Sequence, residues 1–479
     1  MALPCRVISA THSNGRGAKP QPNFWQALSP VIVLIGSLAL NVQLYGGEPH
    51  IPLIIGTAAA SVVGVFIGYR WTDLEEGMVS GIAIALKAIL ILLIVGLLIA
   101  TWIAGGVVPL LIYYGLKILS PSIFLVATCI ICSIVSLATG SSWTTAGTVG
   151  VALMAVGQGL GIPLPMVAGA IVSGAYFGDK MSPLSDTTNL SPAVSGSEIF
   201  EHIRHMMYTT IPGFCIALIL YAGLGLYNAP ATSSSSNLSS LLTTLETHYN
   251  LSPILLTAPF LILILVIYKV PAIPALLAGS VLGGVLACVF QGQGIGDILG
   301  SAKNGFVSQT GNEQVDNLLT RGGIQGMLNT IALVLCAMSF GGIMEKTGML
   351  RTLASSILET AKSAGSLVFA TVLSCLGMNA IAPDQYLALI VPGRMYRGAF
   401  RNANLHPKNL SRCLEDAGTL TSPLIAYNTC GAYMSKVLGV SAGEYFLFAF
   451  LNLLTPLISV LYGFTGWTIK PLGKKEIKD

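Results

Sequence analysis

Twelve residues in the first half of the chain, GDKMSPLSDTTN (178–189), carry two carboxylates, four hydroxyls, an amide and a proline. A carboxylate among neutral oxygens is a ligand set for a hard cation such as Na⁺. It also binds protons. Pro183 has no N–H to give to the carbonyl of Asp179, and Pro192 has none for Thr188, so both prolines free backbone oxygens beside the side chains. At 100° per residue Asp179, Ser182, Asp186 and Asn189 fall within about 80° on a helical wheel. The expectation is one polar stripe, with Na⁺ at Asp179, Ser182 and Asn189 and with Thr187 and Thr188 alongside.

Three other segments offer partners. ATGSSWTTAG (138–147) supplies Ser141, Ser142, Thr144 and Thr145. GMNAIAPDQY (377–386) supplies Asn379 and Asp384, and EDAGTLTSPLIAYNT (415–429) supplies Asp416, Ser422, Asn428 and Thr429. There Pro423 frees the carbonyl of Thr419. Lys180 is either the ion-pair partner of Asp179 or a side chain reaching for an interface, and Lys87 is equally ambiguous. A carboxylate that holds either a proton or a metal cation, and never neither, couples the two fluxes.

These residues sit in a chain built for lipid. Of its 479 residues 53% are hydrophobic and 9% charged, the mean hydropathy is +0.76, and a soluble domain is about 25% charged. Apolar runs near 28–46, 51–69, 80–104, 107–119, 207–227, 251–268, 271–290, 324–344 and 444–466 approach the length needed to cross about 30 Å of hydrocarbon. Two stretches, 121–192 and 364–440, are apolar but interrupted. The fold expected is an all-α polytopic membrane protein of about 10–12 transmembrane helices.

The interrupted stretches echo one another: Ser182-Pro183-Leu184 matches Ser422-Pro423-Leu424, with Asn189 and Asn428 beyond. The connection in the second holds Arg394, Arg397, Arg401, Lys408 and Arg412, while its counterpart 157–165 holds no cation. The positive-inside rule sets them on opposite sides. Two inverted-topology repeats with re-entrant hairpins and discontinuous helices follow, an arrangement that builds transport sites near the midplane. The expected organisation is a cytoplasmic disordered tail (1–27), a first repeat (28–227), an external Ser/Thr-rich loop (228–250), a second repeat (251–467) and a basic cytoplasmic tail (468–479). The chain is placed in the cell membrane, multi-pass, with both termini cytoplasmic.

Other motifs carry less. Cys129 and Cys132 form a CxxC inside an apolar run, with no second pair to complete a zinc site. GVSAG (439–443) lacks the strand-to-helix turn of a nucleophile elbow. His202 and His205, with Glu198 and Glu201, read as a solvated connector, with pH sensing as the alternative. No Walker loop or HExxH is present and nothing suggests nucleic-acid binding, so the chain reads as a secondary transporter rather than an enzyme, with no cofactor.

SLATGSSWTTAGTVGVALM, AGAIVSGAYFGDKMSPLSDTTNLSPAVSG with FEHIRHM, and RGGIQGMLNTIALVLCAMSFGG resemble segments of the NhaC family of Na⁺/H⁺ antiporters. The resemblance spans roughly residues 25 to 467. It implies a member of the ion transporter superfamily, with Ser141, Ser142, Ser182, Thr187, Thr188 and Asn189, then Ser422, Asn428 and Thr429, at the site. It further implies Na⁺ (with Li⁺) and H⁺ as substrates, the lipid bilayer as environment and a homodimer as the candidate assembly. Exchangers of organic acids such as malate and lactate share the family, so that alternative stays open, with Lys180 and Lys87 as candidate anion contacts.

Overall fold

A computed structural model describes residues 21–227 and 235–472. Most of the two tails expected to be cytoplasmic, 1–20 and 473–479, lies outside the described residues. The regular elements among the described residues are helical; two isolated bridges, Phe306 with Arg321 and Leu405 with Pro471, do not extend into strands. Among the described residues 8 helices can cross a membrane by length and composition, or up to 10 if the bent pairs Ser239–His248 with Pro253–Ile267 and Ala442–Phe448 with Phe450–Thr465 each count as one span.

Helix Trp71–Ala104 has 34 residues, about 51 Å at 1.5 Å per residue. It therefore projects beyond the hydrocarbon at the end that carries Asp73, Glu75 and Glu76. It crosses Ile324–Lys346 with backbones touching. A Cβ on Gly81 would lie 2.8 Å from the Cα of Gly342 and closer still to the Met338 carbonyl. Apolar area gives membrane helices little drive to associate, so small residues that admit close packing do the work.

Helices Pro121–Thr139 and Ala364–Ile381 are continuous over 19 and 18 residues, although the sequence reads there as interrupted. Two of their hydroxyls turn back onto their own helix. Ser133 donates to the Cys129 carbonyl at 2.7 Å and Thr371 to that of Leu367 at 2.8 Å. Ser235–His248, within the segment expected to be loop, is helical too; its Leu241 and Leu245 are buried, and that apolar stripe gives it a face to pack.

Pro121–Thr139 and Ala364–Ile381 each lead into a turn and a second arm, then a broken helix. Thr139 is followed by Gly140 in the left-handed region (φ 65) and a helical arm over 142–159. Ile381 is followed by Ala382-Pro383-Asp384 and the arm Gln385–Asn402. The first broken helix is Leu164–Met181 with Asp186–Ser195; the second runs over 407–421 and resumes at Thr429–Leu438. Starts at 364 against 121, 385 against 142, 407 against 164 and 429 against 186 all differ by 243 residues. This register pairs Asn428 with Ser185, not with Asn189: both cap the helix after the break, Ser185 bonding the Thr188 amide and Asn428 that of Cys430.

Candidate ion-binding site

A cavity of about 810 Å³ lies where the two turns meet the two breaks. Ser141 and Trp143 line it from the first turn, Asp384, Gln385 and Tyr386 from the second, Asp179, Asp186 and Thr187 from the first broken helix, and Thr429 from the second. Leu184 and Ser185 pack so closely on Gly140 that a Cβ there would sit 2.7 Å from the Leu184 backbone. On the other side the Thr429 amide donates to the Pro383 carbonyl at 2.9 Å. Each turn is thus fastened to a break.

Asp179 is buried, and one of its oxygens accepts the Ser142 amide at 3.2 Å and the Ser142 hydroxyl at 2.7 Å. The carbonyl that Pro183 leaves without a helical partner accepts the Thr188 hydroxyl at 3.1 Å, and that hydroxyl also reaches the Lys180 carbonyl at 2.9 Å. Thr187 and Ser185 share a hydroxyl contact of 3.1 Å. Ser141 caps the second arm: its hydroxyl accepts from the Thr144 amide and hydroxyl, both at 3.1 Å, and its carbonyl accepts from Thr145 at 3.0 Å.

Asp384 is the equivalent cap in the second turn. It accepts the amides of Tyr386 at 2.9 Å and Leu387 at 3.2 Å on one oxygen and the Thr429 hydroxyl at 3.4 Å on the other. Asn379 donates to the Gly418 carbonyl at 2.7 Å and to Thr421 at 3.0 Å, and Asn428 donates to both oxygens of Asn379 at 3.1 Å. The Ser422 hydroxyl donates to the Thr419 carbonyl at 2.7 Å, which answers the oxygen freed by Pro423.

Several expectations need correction. The helix breaks over 182–185, so Asp179, Ser182, Asp186 and Asn189 do not form one stripe. Ser182 accepts the Leu184 amide at 3.3 Å, and Asn189 is exposed and donates to the carbonyls of Pro183 and Ser185 at 2.8 and 2.7 Å. The trio Asp179, Ser182 and Asn189 therefore does not converge on an ion. Lys180 pairs with Asp416, not Asp179, and both are fully buried outside the cavity. Lys87 pairs with Asp186 at 2.7 Å at the cavity mouth, each more than half exposed. Arg412, counted with the water-facing connection, is buried, and so are His202 and His205. Ser441 is held by Glu444 at 2.7 Å in an exposed cap. Cys129 and Cys132 are buried in their helix.

Sequence alone missed Tyr386, whose hydroxyl reaches Asp186 at 3.4 Å. It also missed the stack of Trp143 on Tyr433, 4.0 Å between centroids, with the Tyr433 hydroxyl on the Trp143 carbonyl at 2.7 Å. Glu415 was passed over for its neighbour Asp416.

The model of the Na⁺/H⁺ antiporter family matches residues 174–467. The chain is 43% identical over 435 residues to the Na⁺/H⁺ antiporter NhaC of Alkalihalophilus pseudofirmus, covering 91% of this chain and 94% of that protein. It is 40% identical to the malate-2H⁺/Na⁺-lactate antiporter of Bacillus subtilis, covering 92% and 95%. To the NhaC antiporter of the same species it is 38% identical, covering 87% and 92%. A multi-pass helical chain with paired turns and breaks around a buried carboxylate, alike over nearly its whole length to these proteins, belongs to the Na⁺/H⁺ antiporter family.

Proposed function

We propose that the chain exchanges Na⁺ for H⁺ across the cell membrane, the two competing for Asp179 and Asp384 in the shared cavity. One observation carries this. Both carboxylates are buried in a single cavity, and among the described residues neither makes an ion pair, because Lys87 is engaged by Asp186 and Lys180 by Asp416. A buried carboxylate with no cation beside it must acquire one or take a proton. Oxygen donors of the kind a hard cation prefers line the same cavity: Ser141, Thr187 and Thr429.

The two copies, whose matching helix starts are offset by 243 residues, are taken to run in opposite directions. Counted with 121–159 as a hairpin that enters and leaves on one face, Phe24–Tyr45, His50–Ile67, Trp71–Ala104, the first broken helix and Ile199–Tyr227 make an odd number of crossings. The second copy therefore starts from the other side. The arginines of 394–401 set the shared side of the termini as cytoplasmic. Rocking one copy against the other exposes the cavity to each side in turn.

A second reading, organic-acid exchange driven by the same ions, draws support from the cavity itself. Its volume far exceeds a bare ion, and Lys87 and Lys269 both line it. Internal pH in proteoliposomes after a Na⁺ pulse tests the two. Alkalinisation or acidification driven by Na⁺ without any organic acid supports the first reading. Movement only when malate or lactate is present selects the second, and no movement in either case removes both.

A further inference from the structure

A second group of buried ionisable side chains lies apart from the cavity. Asp416, paired with Lys180, also accepts the Thr209 hydroxyl at 2.9 Å and lies 3.9 Å from the Arg412 guanidinium. Glu415 is its neighbour on the wide helical turn Glu415–Thr419. One Glu415 oxygen accepts the Ser191 hydroxyl at 2.8 Å; the other has no partner among the described residues. His202 Nδ1 meets the Ser411 hydroxyl at 2.8 Å while its Nε2 has no partner. The same is true of His205 Nε2, of Arg412 Nε and Nη2 and of the second Asp416 oxygen, which make no hydrogen bond.

Six orphaned polar atoms in one buried cluster require an account, since buried polar groups are almost always satisfied. Within a membrane the cost of leaving them so is higher. The site is polar on several sides, which is what an internal water needs. It also leads outward. His205 faces His202, Arg412 and Lys408, and Lys408 and His406 lie 3.7 and 3.6 Å from Glu201, whose side chain is half exposed.

We propose that Glu415 is a second proton-binding site, hydrated, reached from the Arg- and Lys-rich rim past His205 and His202, and separate from the cation site at Asp179. The proposal rests on the Na⁺/H⁺ exchange reading. Charge supplies the coupling. Lys180 and Arg412 balance Asp416 and an ionised Glu415, so a proton on Glu415 leaves one net positive charge next to Asp179. Both Asp179 and Lys180 face Glu415 from the first broken helix. Cys375 faces it from Ala364–Ile381, with Tyr396 of the following arm behind that thiol. Cys413 sits on the preceding turn, and Phe450–Thr465 brings Asn452 and Ser459, neither of which titrates. Protonation from the rim thus expels Na⁺ from a carboxylate it never touches.

The test reads two activities of Glu415→Gln in proteoliposomes. Counterflow of ²²Na⁺ against Na⁺ needs only the cation site, whereas Na⁺-driven H⁺ movement needs both. Because Gln carries the charge of protonated Glu, the expected result is a KM for Na⁺ in counterflow raised at least tenfold, with the counterflow rate at saturating Na⁺ within about twofold of the parent, and a loss of at least tenfold in H⁺ movement. Parental behaviour in both assays would overturn the proposal. So would loss of both in protein that elutes as the parent does, because Glu415 would then belong to the cation site or to the fold. Ser191→Ala is the milder second variant, expected to move the pH midpoint of exchange with the KM for Na⁺ unchanged; an unmoved midpoint counts against it. A parent protein silent in both assays would remove the exchange reading, and this proposal with it.

Discussion

Ser142 donates twice to a single oxygen of Asp179, from its backbone at 3.2 Å and from its hydroxyl at 2.7 Å. The turn of one helix–turn–helix therefore holds a carboxylate on the broken helix beside it by one oxygen, and the other oxygen is free of Ser142. Asp384 receives backbone amides in the same way, from Tyr386 and Leu387. Both carboxylates accept hydrogen bonds from a turn, and among the described residues neither pairs with a cationic side chain.

Asp384 serves as a helix cap as well as a cavity carboxylate, and Asn caps a helix about as well as Asp. Asp384→Asn therefore removes the charge while keeping the cap. Exchange in proteoliposomes should fall at least tenfold, with thermal stability within about 1 kcal/mol of the parent. Full exchange in this variant would take Asp384 out of the site.

The Lys180–Asp416 pair is fully buried, so removing one partner strands the other. Lys180→Met or Asp416→Asn alone should destabilise the protein by about 3–5 kcal/mol, and combining them should recover much of the loss. Thermal unfolding in detergent, arranged as a double-mutant cycle, measures this. Additive losses would mean that the two charges are not partners.

Gly81 meets the backbone of Ile324–Lys346, whereas Gly36 has nothing within 4 Å of where a Cβ would stand. Gly81→Ala should cost about 1–3 kcal/mol by overpacking, and Gly36→Ala should not lower stability. Melting temperatures of the two variants, compared side by side, decide whether the contact between these helices is as close as described.

Outside the membrane, Asp316 organises the connection before Ile324–Lys346. Burial works against its charge. Bonds from the Thr310 amide at 2.7 Å, the hydroxyls of Ser308 at 2.7 Å and Thr310 at 2.8 Å, and the Gly311 amide at 3.2 Å outweigh it and hold the carboxyl below its usual value. A carboxyl depressed on folding contributes stability above its unfolded value, about 3.9, and loses it as pH falls through the folded one. Hydrogen exchange of 306–320 should therefore stay slow at pH 5 and quicken in acid below about pH 4. Asp316→Asn should remove that acid dependence.

The membrane class and the places of the broken helices were legible because lipid leaves few options: long apolar runs, with prolines where the backbone must stop being helical. The internal duplication was legible from Ser-Pro-Leu in each half. Its register was not. The first helix of the second copy ends earlier and its break, from 422 to 428, is longer than 182–185. Matching identical letters therefore paired Asn189 with Asn428, although helix starts pair Ser185 with it. The helical wheel failed for the same reason, since it assumes a continuous helix through Pro183. Lys180, Arg412, His202 and His205 were misplaced because charge alone does not tell a rim from a buried pair. Only the packing of Ile199–Tyr227 against 407–419 separates them.

Competition for shared carboxylates is tested most directly by ²²Na⁺ binding to the purified protein as pH is varied. If one proton and one Na⁺ exclude each other, the apparent Kd for Na⁺ rises about tenfold for each unit of acidification below the carboxyl's titration and levels off above it. Asp179→Asn should abolish binding throughout. A Kd for Na⁺ that stays constant from pH 5 to pH 9, or undiminished binding by Asp179→Asn, would contradict the account.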